Sequence, residues 1–246
     1  MAHIYPIDNK NLLFINPPKC ATTAVDRFFQ LYYEPANYRR LTFVEHPSGG
    51  GYDNPLRGHL TFRQIQELKK NTDSDSRYPA FWEKFSTIHY SFATIRNPWE
   101  RMVSWYSFLT SKPLRTINSP VYWKNNSHIL SMDFDNFVHM FCNLTEEDSL
   151  FKLRNHHLPQ IEFLVDKDRT MRVDYLINCE DLSDNMNKMF KKFNISFPKI
   201  NVIEKINTSR HRNYTEYYKD KETIELVESW ESGILKYHDF KKPEVK

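Results

Sequence analysis

The chain has 246 residues, of which 40% are hydrophobic, and its 34 basic and 31 acidic side chains give a formal net charge of +3. Aromatic residues make up 15% and glycine only 5 residues, which excludes a collagen-like or disordered chain. The near balance of charge argues against a surface that coats nucleic acid, so an anion-binding function must be confined to a pocket. We expect one domain over residues 1–246.

The cysteines and the amino terminus limit the cellular context. Cys20, Cys142 and Cys179 are too scattered for a disulfide framework or a paired zinc site. Polar residues at 8–10 interrupt the apolar stretch that a secretory signal requires, and no window of 18 apolar residues occurs. We expect a cytoplasmic chain without a membrane segment. The alternative is a Golgi-lumen catalytic domain without its anchor, and we attribute the Asn-x-Ser/Thr sequons to chance.

The amino-terminal third predicts the strand, loop and helix that open an α/β domain. An apolar run at 12–15 is typical of a buried parallel strand, and it breaks at the asparagine and two prolines of 16–18. Helical spacing of the apolar residues predicts a helix that begins at 21–23. After the Gly-rich segment 45–58, Thr61 is the predicted N-cap of another helix.

The same alternation continues along the chain. A second strand is predicted over 88–95, followed by a helix with Asn97 as N-cap and Pro98 at its first position. The polar stretch 110–133 indicates a long loop or lid. Apolar spacing further along predicts a helix from Phe134, a strand over 173–179, a helix over 186–193 and a helical carboxy-terminal part. Strands that alternate with helices predict a parallel sheet covered on both faces.

The turn between the first strand and helix is a candidate anion site. Backbone N–H groups at a helix start have no intrahelical partner, and together with the helix dipole they attract phosphate or sulfate. Lys19 adds a positive charge, and Thr22 and Thr23 add hydroxyl donors. The segment lacks the Gly-x-x-x-x-Gly-Lys-Ser/Thr pattern of nucleotide triphosphatases. The alternative is that Thr22 or Thr23 only caps the helix and that Lys19 is solvated.

A second candidate anion site follows the second strand. Arg96 closes this strand, at the edge of a parallel sheet where ligands bind. Ser104 lies about two helical turns later, so its hydroxyl could join the guanidinium around one anion. The alternative is an ion pair between Arg96 and a carboxylate such as Glu100, with Ser104 at the surface.

As a pair, the two sites resemble those of the sulfotransferases. Residues 19–23 are similar to the 5′-phosphosulfate loop of that family, and Arg96 with Ser104 is similar to its 3′-phosphate motif. Segments 155–160, 173–175 and 180–182 are similar to segments of the carbohydrate sulfotransferase branch. The segment 207–210, followed by Tyr214, Tyr217 and Tyr218, resembles the carboxy-terminal segment that closes over the donor in related members.

The resemblance implies a three-layer, P-loop-like α/β fold with a central, mainly parallel sheet flanked by helices. It also implies 3′-phosphoadenosine-5′-phosphosulfate (PAPS) as donor, 3′-phosphoadenosine-5′-phosphate (PAP) as product and an acceptor hydroxyl, with a carbohydrate favoured. Lys19 would stabilise the leaving phosphate. No metal is expected, since we find no carboxylate set that suggests Mg²⁺. The implied donor-binding residues are Lys19, Cys20, Ala21, Thr22, Thr23, Arg96, Ser104, Ser209, Arg210 and Arg212.

The candidate base is His59, because it lies after a Gly-rich loop at a helix start, where imidazole could face the pocket. The family uses either His or Glu in this role, so Glu45 and His46 remain open. His156 is a weaker alternative, for which packing or acceptor contact is the favoured role.

Two residues depart from the pattern of the family. Many members have glycine where Ala21 stands, and Asn97 replaces a frequent aspartate. Other interpretations of the chain are a nucleotide kinase of related fold and a nucleotide-binding module that performs no transfer. Trp82, Trp105 and Trp123 could stack on sugar rings, although core packing is the favoured role for most tryptophans.

Overall fold

The computed structural model describes residues 3–32, 41–42, 59–71, 86–111, 127–144, 155–204 and 211–245. The chain forms two compact units. The first unit is built from residues 1–95 and 154–207, and the second from residues 96–153 and 208–246. The single domain over 1–246 stays a prediction.

Five strands form one sheet, and all of them belong to the first unit. They are β1 (His3–Ile7), β2 (Lys10–Ile15), β3 (Leu41–Thr42), β4 (Ile88–Ile95) and β5 (Tyr175–Asn178). Their order across the sheet is β3-β1-β2-β4-β5. The strands β2, β4 and β5 are parallel neighbours, whereas β1 is antiparallel to both β2 and β3. Only β1 therefore runs against the others, which confirms a mainly parallel sheet.

The first four helices begin where the sequence predicts them, whereas the helix predicted over 186–193 begins at Leu182 and ends at Lys192. The helices are α1 (Thr22–Tyr32), α2 (Phe62–Asn71), α3 (Pro98–Ser111), α4 (Phe134–Cys142), α5 (Leu182–Lys192), α6 (Lys221–Trp230) and α7 (Ser232–Leu235). Of these, α1, α2 and α5 belong to the first unit and the other four to the second. Within the predicted loop 110–133, α3 continues to Ser111 and a 3₁₀ helix spans Ser127–Ser131. Residues 112–126 lie outside the described part of the chain.

The start of α2 is fixed by a reciprocal pair of hydrogen bonds. The Thr61 hydroxyl accepts from the backbone N–H of Gln64 at 3.1 Å, and the Gln64 side chain accepts from the backbone N–H of Thr61 at 3.0 Å. This is a capping box, in which two of the unpaired donors of a helix start are satisfied at once. The predicted N-cap role of Thr61 is confirmed.

The strand β1 was not predicted, and it forms a hairpin with β2. The two residues between the strands, Asp8 and Asn9, have φ angles of 47° and 60°. Short two-residue hairpins require this left-handed conformation, which Asp and Asn tolerate better than most residues. Pro6 is compatible with the strand because β3 pairs only with His3 and Ile4, so the part of β1 around Pro6 has no described neighbour on that side.

An aromatic-rich core joins one face of the sheet to α1 and α5. Phe14 of β2 stacks on Phe92 of β4 with ring centroids 4.8 Å apart, and Tyr5 of β1 stacks on Phe29 of α1 at 4.0 Å. Met186 and other apolar residues of α5 complete the cluster. The alternate residues of the strands are buried too, among them Ile4, Leu13, Ile15 and Ala93. Both faces of the central strands are therefore covered, as the continuous apolar runs predict.

The second unit has its own core around α3, α4 and α6. An ion pair joins Arg101 to Glu231 at 2.6 Å, and both side chains are fully buried. The Arg101 guanidinium also lies 5.4 Å from the ring centroid of Trp230. Trp105 is buried and its ring lies 5.6 Å from that of Phe141, so it is a core residue, whereas Trp82 and Trp123 lie outside the described residues.

Among the helices that the structure describes, none is both long enough and apolar enough to cross a membrane. The cellular compartment stays a prediction.

Candidate functional site

The loop between β2 and α1 has an unusual backbone. Lys19 has a φ of 67° and Ala21 a φ of 59°, both in the left-handed region. This conformation costs a non-glycine residue roughly 1–2 kcal/mol, and such strain often marks functional loops. Ala21 therefore has the backbone conformation that glycine adopts most easily, and it is one of the two positions at which the chain departs from the pattern that it resembles.

The start of α1 presents donors without a side-chain cap. The carbonyl of Ala21 accepts from the backbone N–H groups of Ala24 at 3.0 Å and Val25 at 3.1 Å, so Ala21 occupies the cap position. Alanine has no side-chain acceptor to offer the first N–H groups, and α1 carries no acidic residue in its first turn. An anion can supply both the acceptor and the negative charge that this helix start favours.

The two threonines lie inside the helix and do not cap it. Thr22 and Thr23 are the first two residues of α1. The Thr22 hydroxyl oxygen is buried, and no described residue forms a hydrogen bond with it. A buried hydroxyl without a partner is costly, and its place at the helix start suits a group that donates a hydrogen bond to an anion.

The Cys20 side chain points into the protein. It is fully buried, and its thiol lies 3.2 Å from Oε1 of Gln160 and 3.6 Å from the carbonyl oxygen of Pro18. Any contact of Cys20 with an anion at this helix start must therefore come from its backbone. Lys19 is half-buried beside it.

His59 lies against the first residue of the same loop. Its Nδ1 is 2.6 Å from the carbonyl oxygen of Asn16 and 3.0 Å from the side-chain oxygen of Asn16. A carbonyl oxygen can only accept, so Nδ1 must carry the hydrogen, and in the neutral ring Nε2 then has a free lone pair. Burial lowers the pKa of His59 well below 6.5, and the charge of His156 lowers it further. His59 is therefore neutral at physiological pH, with the lone pair that a base needs.

The segment 155–160 supports both His59 and the loop. The Asn155 amide donates to the carbonyl of His59 at 2.8 Å and to Oε1 of Gln64 at 2.6 Å, while Gln160 meets the thiol of Cys20. The ring of His156 lies 5.0 Å from that of His59. Through Asn16 and the segment 155–160, the loop that contains Lys19 is therefore connected with His59 in the first unit.

Sequence reasoning missed Asn16, Gln64 and Gln160 as parts of this network. Gln64 could have been found, since Thr61-x-x-Gln64 is a recognisable capping box. The contact of Asn16 with His59 joins residues 43 positions apart, and that of Gln160 with Cys20 joins residues 140 positions apart. No local sequence pattern predicts such contacts.

In the second unit, Arg96 is paired with a carboxylate. Its guanidinium lies 2.7 Å from Oε1 of Glu100, with 19% of the Arg96 side chain and 25% of the Glu100 side chain exposed. This is the ion pair that the sequence left open as the alternative to an anion site. Ser104 is buried on α3, eight positions after Arg96.

The Asn97 side chain forms hydrogen bonds with the start of α3 and with the main chain at Lys241. Its side-chain oxygen accepts from the backbone N–H groups of Trp99 at 3.0 Å and Glu100 at 3.3 Å, which confirms its role as N-cap of α3. Its amide donates to the carbonyl of Lys241 at 2.9 Å, and the hydroxyl of Tyr214 donates to the same carbonyl at 2.9 Å. An aspartate could cap the helix equally well, but it could not donate to Lys241.

Several predicted residues cannot be placed. Ser209 and Arg210, and the alternative bases Glu45 and His46, lie outside the described residues. Arg212 is described and lies at the surface of the second unit, 78% exposed, with its guanidinium 4.0 Å from the Glu216 carboxylate.

No group of three or more His, Cys, Asp or Glu side chains is placed to hold a metal ion in the ranges that the structure describes. The structure brings the Lys19 loop and His59 together within the first unit, whereas Arg96, Ser104 and Arg212 belong to the second. That one nucleotide contacts both groups stays a prediction.

A family model described as "Sulfotransferase family" matches residues 3–236 of the chain. No curated protein matches, and no solved structure matches.

Proposed function

Because the chain belongs to the sulfotransferase family, we propose that it moves the sulfuryl group of PAPS to a hydroxyl of a carbohydrate. The hydrogen bond from Nδ1 of His59 to the carbonyl of Asn16 carries the proposal. Asn16 is the first residue after β2 and opens the loop that contains Lys19. The candidate base and the candidate stabiliser of the leaving group are therefore fixed by the same short segment.

The first unit would bind the phosphosulfate end of the donor. Lys19, the backbone N–H groups at the start of α1 and the Thr22 hydroxyl would surround the 5′-phosphate. As the bond between sulfur and the phosphate oxygen breaks, negative charge grows on that oxygen, and these donors are the groups that stabilise it. The Thr22 hydroxyl, to which none of the described residues forms a hydrogen bond, supports this assignment.

The second unit would bind the 3′-phosphate through Arg96 and Ser104, with Ser209, Arg210 and Arg212 contributing from the carboxy-terminal segment. A phosphate would replace the Glu100 carboxylate as the partner of Arg96. Such an exchange would keep the guanidinium paired with an anion, and the exposed part of the Arg96 side chain could be reached by a phosphate from solvent.

His59 would act on the acceptor. Its Nε2 would take the proton of the acceptor hydroxyl while the hydroxyl oxygen bonds to sulfur and the 5′-phosphate leaves. A neutral imidazole held at one nitrogen by Asn16 is ready for this transfer without first losing a proton. The products would be a sulfate ester and PAP, with the proton on His59.

A carbohydrate acceptor is supported by the segment 155–160, which resembles the carbohydrate branch. In the structure this segment contacts His59 directly through Asn155 and approaches it through the His156 ring. Residues that follow Asn155 are thus near the place where an acceptor hydroxyl would meet the base.

Two measurements on the full chain test the proposal. In a thermal-shift experiment, PAP should raise the melting temperature, whereas ATP with Mg²⁺ should not, because a ligand that binds only the native state stabilises it. PAPS with a panel of glycans should then yield sulfated product. A shift with ATP and Mg²⁺ alone would favour the kinase alternative, and binding of PAP without product from any acceptor would favour a module that performs no transfer.

A further inference from the structure

We propose that Asn16 is a positioning residue that fixes His59 with its hydrogen on Nδ1 and its lone pair on Nε2. The inference deepens the proposed function, since it rests on His59 as the base. Asn16 would not touch the acceptor or the donor through its side chain, and it would act only through the imidazole.

The geometry at Nδ1 allows one arrangement of the hydrogen. Two oxygen atoms of Asn16 lie at hydrogen-bond distance from this nitrogen, the backbone carbonyl at 2.6 Å and Oδ1 at 3.0 Å. A lone pair on Nδ1 would face two further lone pairs, and the backbone carbonyl has no hydrogen to offer. Asn16 is only 1% exposed, so water does not compete for the contact.

The main chain of His59 is held from the other side. The Asn155 amide donates to the His59 carbonyl at 2.8 Å, and Gln64 ties Asn155 to the capping box of α2. Both the ring and the backbone of His59 are therefore anchored. Nε2 is then the ring nitrogen left for an acceptor, since no described residue hydrogen-bonds it.

A neutral side chain at position 16 suits a ring that stays uncharged. Burial is the largest cause that lowers the pKa of His59, and His156 and His3 lower it further. A neutral amide at position 16 orients the imidazole and leaves this effect in place. A carboxylate there would favour the protonated ring, because an opposite charge within about 4–6 Å stabilises the charged form.

The direct test uses the unmodified chain. With ¹⁵N-labelled histidine, the nitrogen spectrum at neutral pH should show His59 with hydrogen on Nδ1 and none on Nε2, and His59→Gln identifies its signals. A ring that carries its hydrogen on Nε2 overturns the inference, whatever the activity of the enzyme.

The second test measures how a substitution of Asn16 changes the titration of His59 and the pH dependence of activity. Asn16→Asp should raise the titration midpoint of His59 in the NMR spectrum by about one pH unit or more. The acid limb of kcat/KM should move upward by the same amount, an effect that a merely structural change would not produce.

Asn178→Asp is the matched control, since Asn178 is a buried asparagine at the end of β5 in the same sheet and caps a 3₁₀ turn through its side-chain oxygen. It should leave the His59 titration unchanged. A folded Asn16→Asp variant with the titration of the unmodified chain overturns the inference. If the titration moves but the pH profile does not, the positioning role stands and His59 as base is refuted.

Discussion

The two candidate anion sites differ in how their polar groups are satisfied. The first, at the start of α1, has a left-handed backbone at Lys19 and Ala21 and a buried Thr22 hydroxyl with no described partner. In the second, the Arg96 guanidinium is already paired with Glu100. Binding of an anion at the first site can offset the free-energy cost of the left-handed backbone and the unsatisfied hydroxyl. An anion that binds at the second site must instead displace a carboxylate. Strain and unsatisfied groups are therefore better evidence for a ligand than the presence of a basic residue.

Arg101 provides a second comparison, because this arginine of α3 lies five positions after Arg96 and has a structural role. It is fully buried against Glu231 and Trp230. Arg101→Ala should lower the free energy of unfolding by about 3–5 kcal/mol, since it leaves a buried carboxylate without its partner. Denaturant unfolding measures this loss. Arg96→Ala is the comparison variant, and a loss of equal size there would contradict the distinction between the two arginines.

Lys19→Ala tests the first site. We expect turnover to fall by about 10²–10³-fold, the range seen when one donor to a developing negative charge is removed. The fold should be unaffected, as shown by an unchanged melting temperature. Lys167→Ala is the control, because this lysine is 64% exposed and pairs with Glu67 at 3.4 Å. Full activity of the Lys19 variant would refute the mechanism.

Ala21→Gly tests whether the loop backbone is strained. Glycine adopts a φ near 59° without the clash of a Cβ atom, so the variant should regain up to about 1–2 kcal/mol of stability, less the entropy that glycine loses on folding. The free energy of unfolding should therefore rise or stay level. Ala24→Gly, inside α1, should instead lower it by about 1 kcal/mol. Equal losses in both variants would show that the Ala21 backbone stores no strain.

Glu100→Gln tests the displacement at the second site. Removing the carboxylate frees Arg96 from a competitor, so PAP should bind about two- to fivefold tighter, which corresponds to the weak coupling of a partly exposed pair. Titration calorimetry with PAP measures the change. Asp184→Asn, on α5 of the first unit, is a control for the loss of one negative charge. Weaker binding of PAP by the Glu100 variant would mean that this carboxylate orients Arg96 for the ligand.

The parts of the fold that sequence could predict are those with local causes. The strand β4 and the helix starts at Phe62 and Pro98 follow from apolar runs and from caps within a few residues. The strand β1 was missed. Pro6 is unusual inside a strand, and it is tolerated here because β3 pairs only with His3 and Ile4. His59 could also be identified as a candidate base from the sequence. Its contact with Asn16 could not be predicted, because the two residues are 43 positions apart.

The pairing of Arg96 shows a different limit. Glu100 lies four positions later, the spacing at which helical side chains meet, so the ion pair was foreseeable as one of two outcomes. A sequence contains no ligand, and the choice between an internal carboxylate and an external phosphate depends on concentration and affinity. The prediction of an anion site at Arg96 is therefore neither confirmed nor refuted by the pair.

The tie between Asn97 and Lys241 has a consequence for how the chain can change over generations. Lys241 accepts both hydrogen bonds through its main-chain oxygen, so the identity of the side chain at this position is free. The number of residues between α7 and this oxygen is constrained, because an insertion or a deletion there would move the carbonyl away from both donors. Evolution of this segment should therefore allow substitution of residue 241 but not a change in the length of the segment.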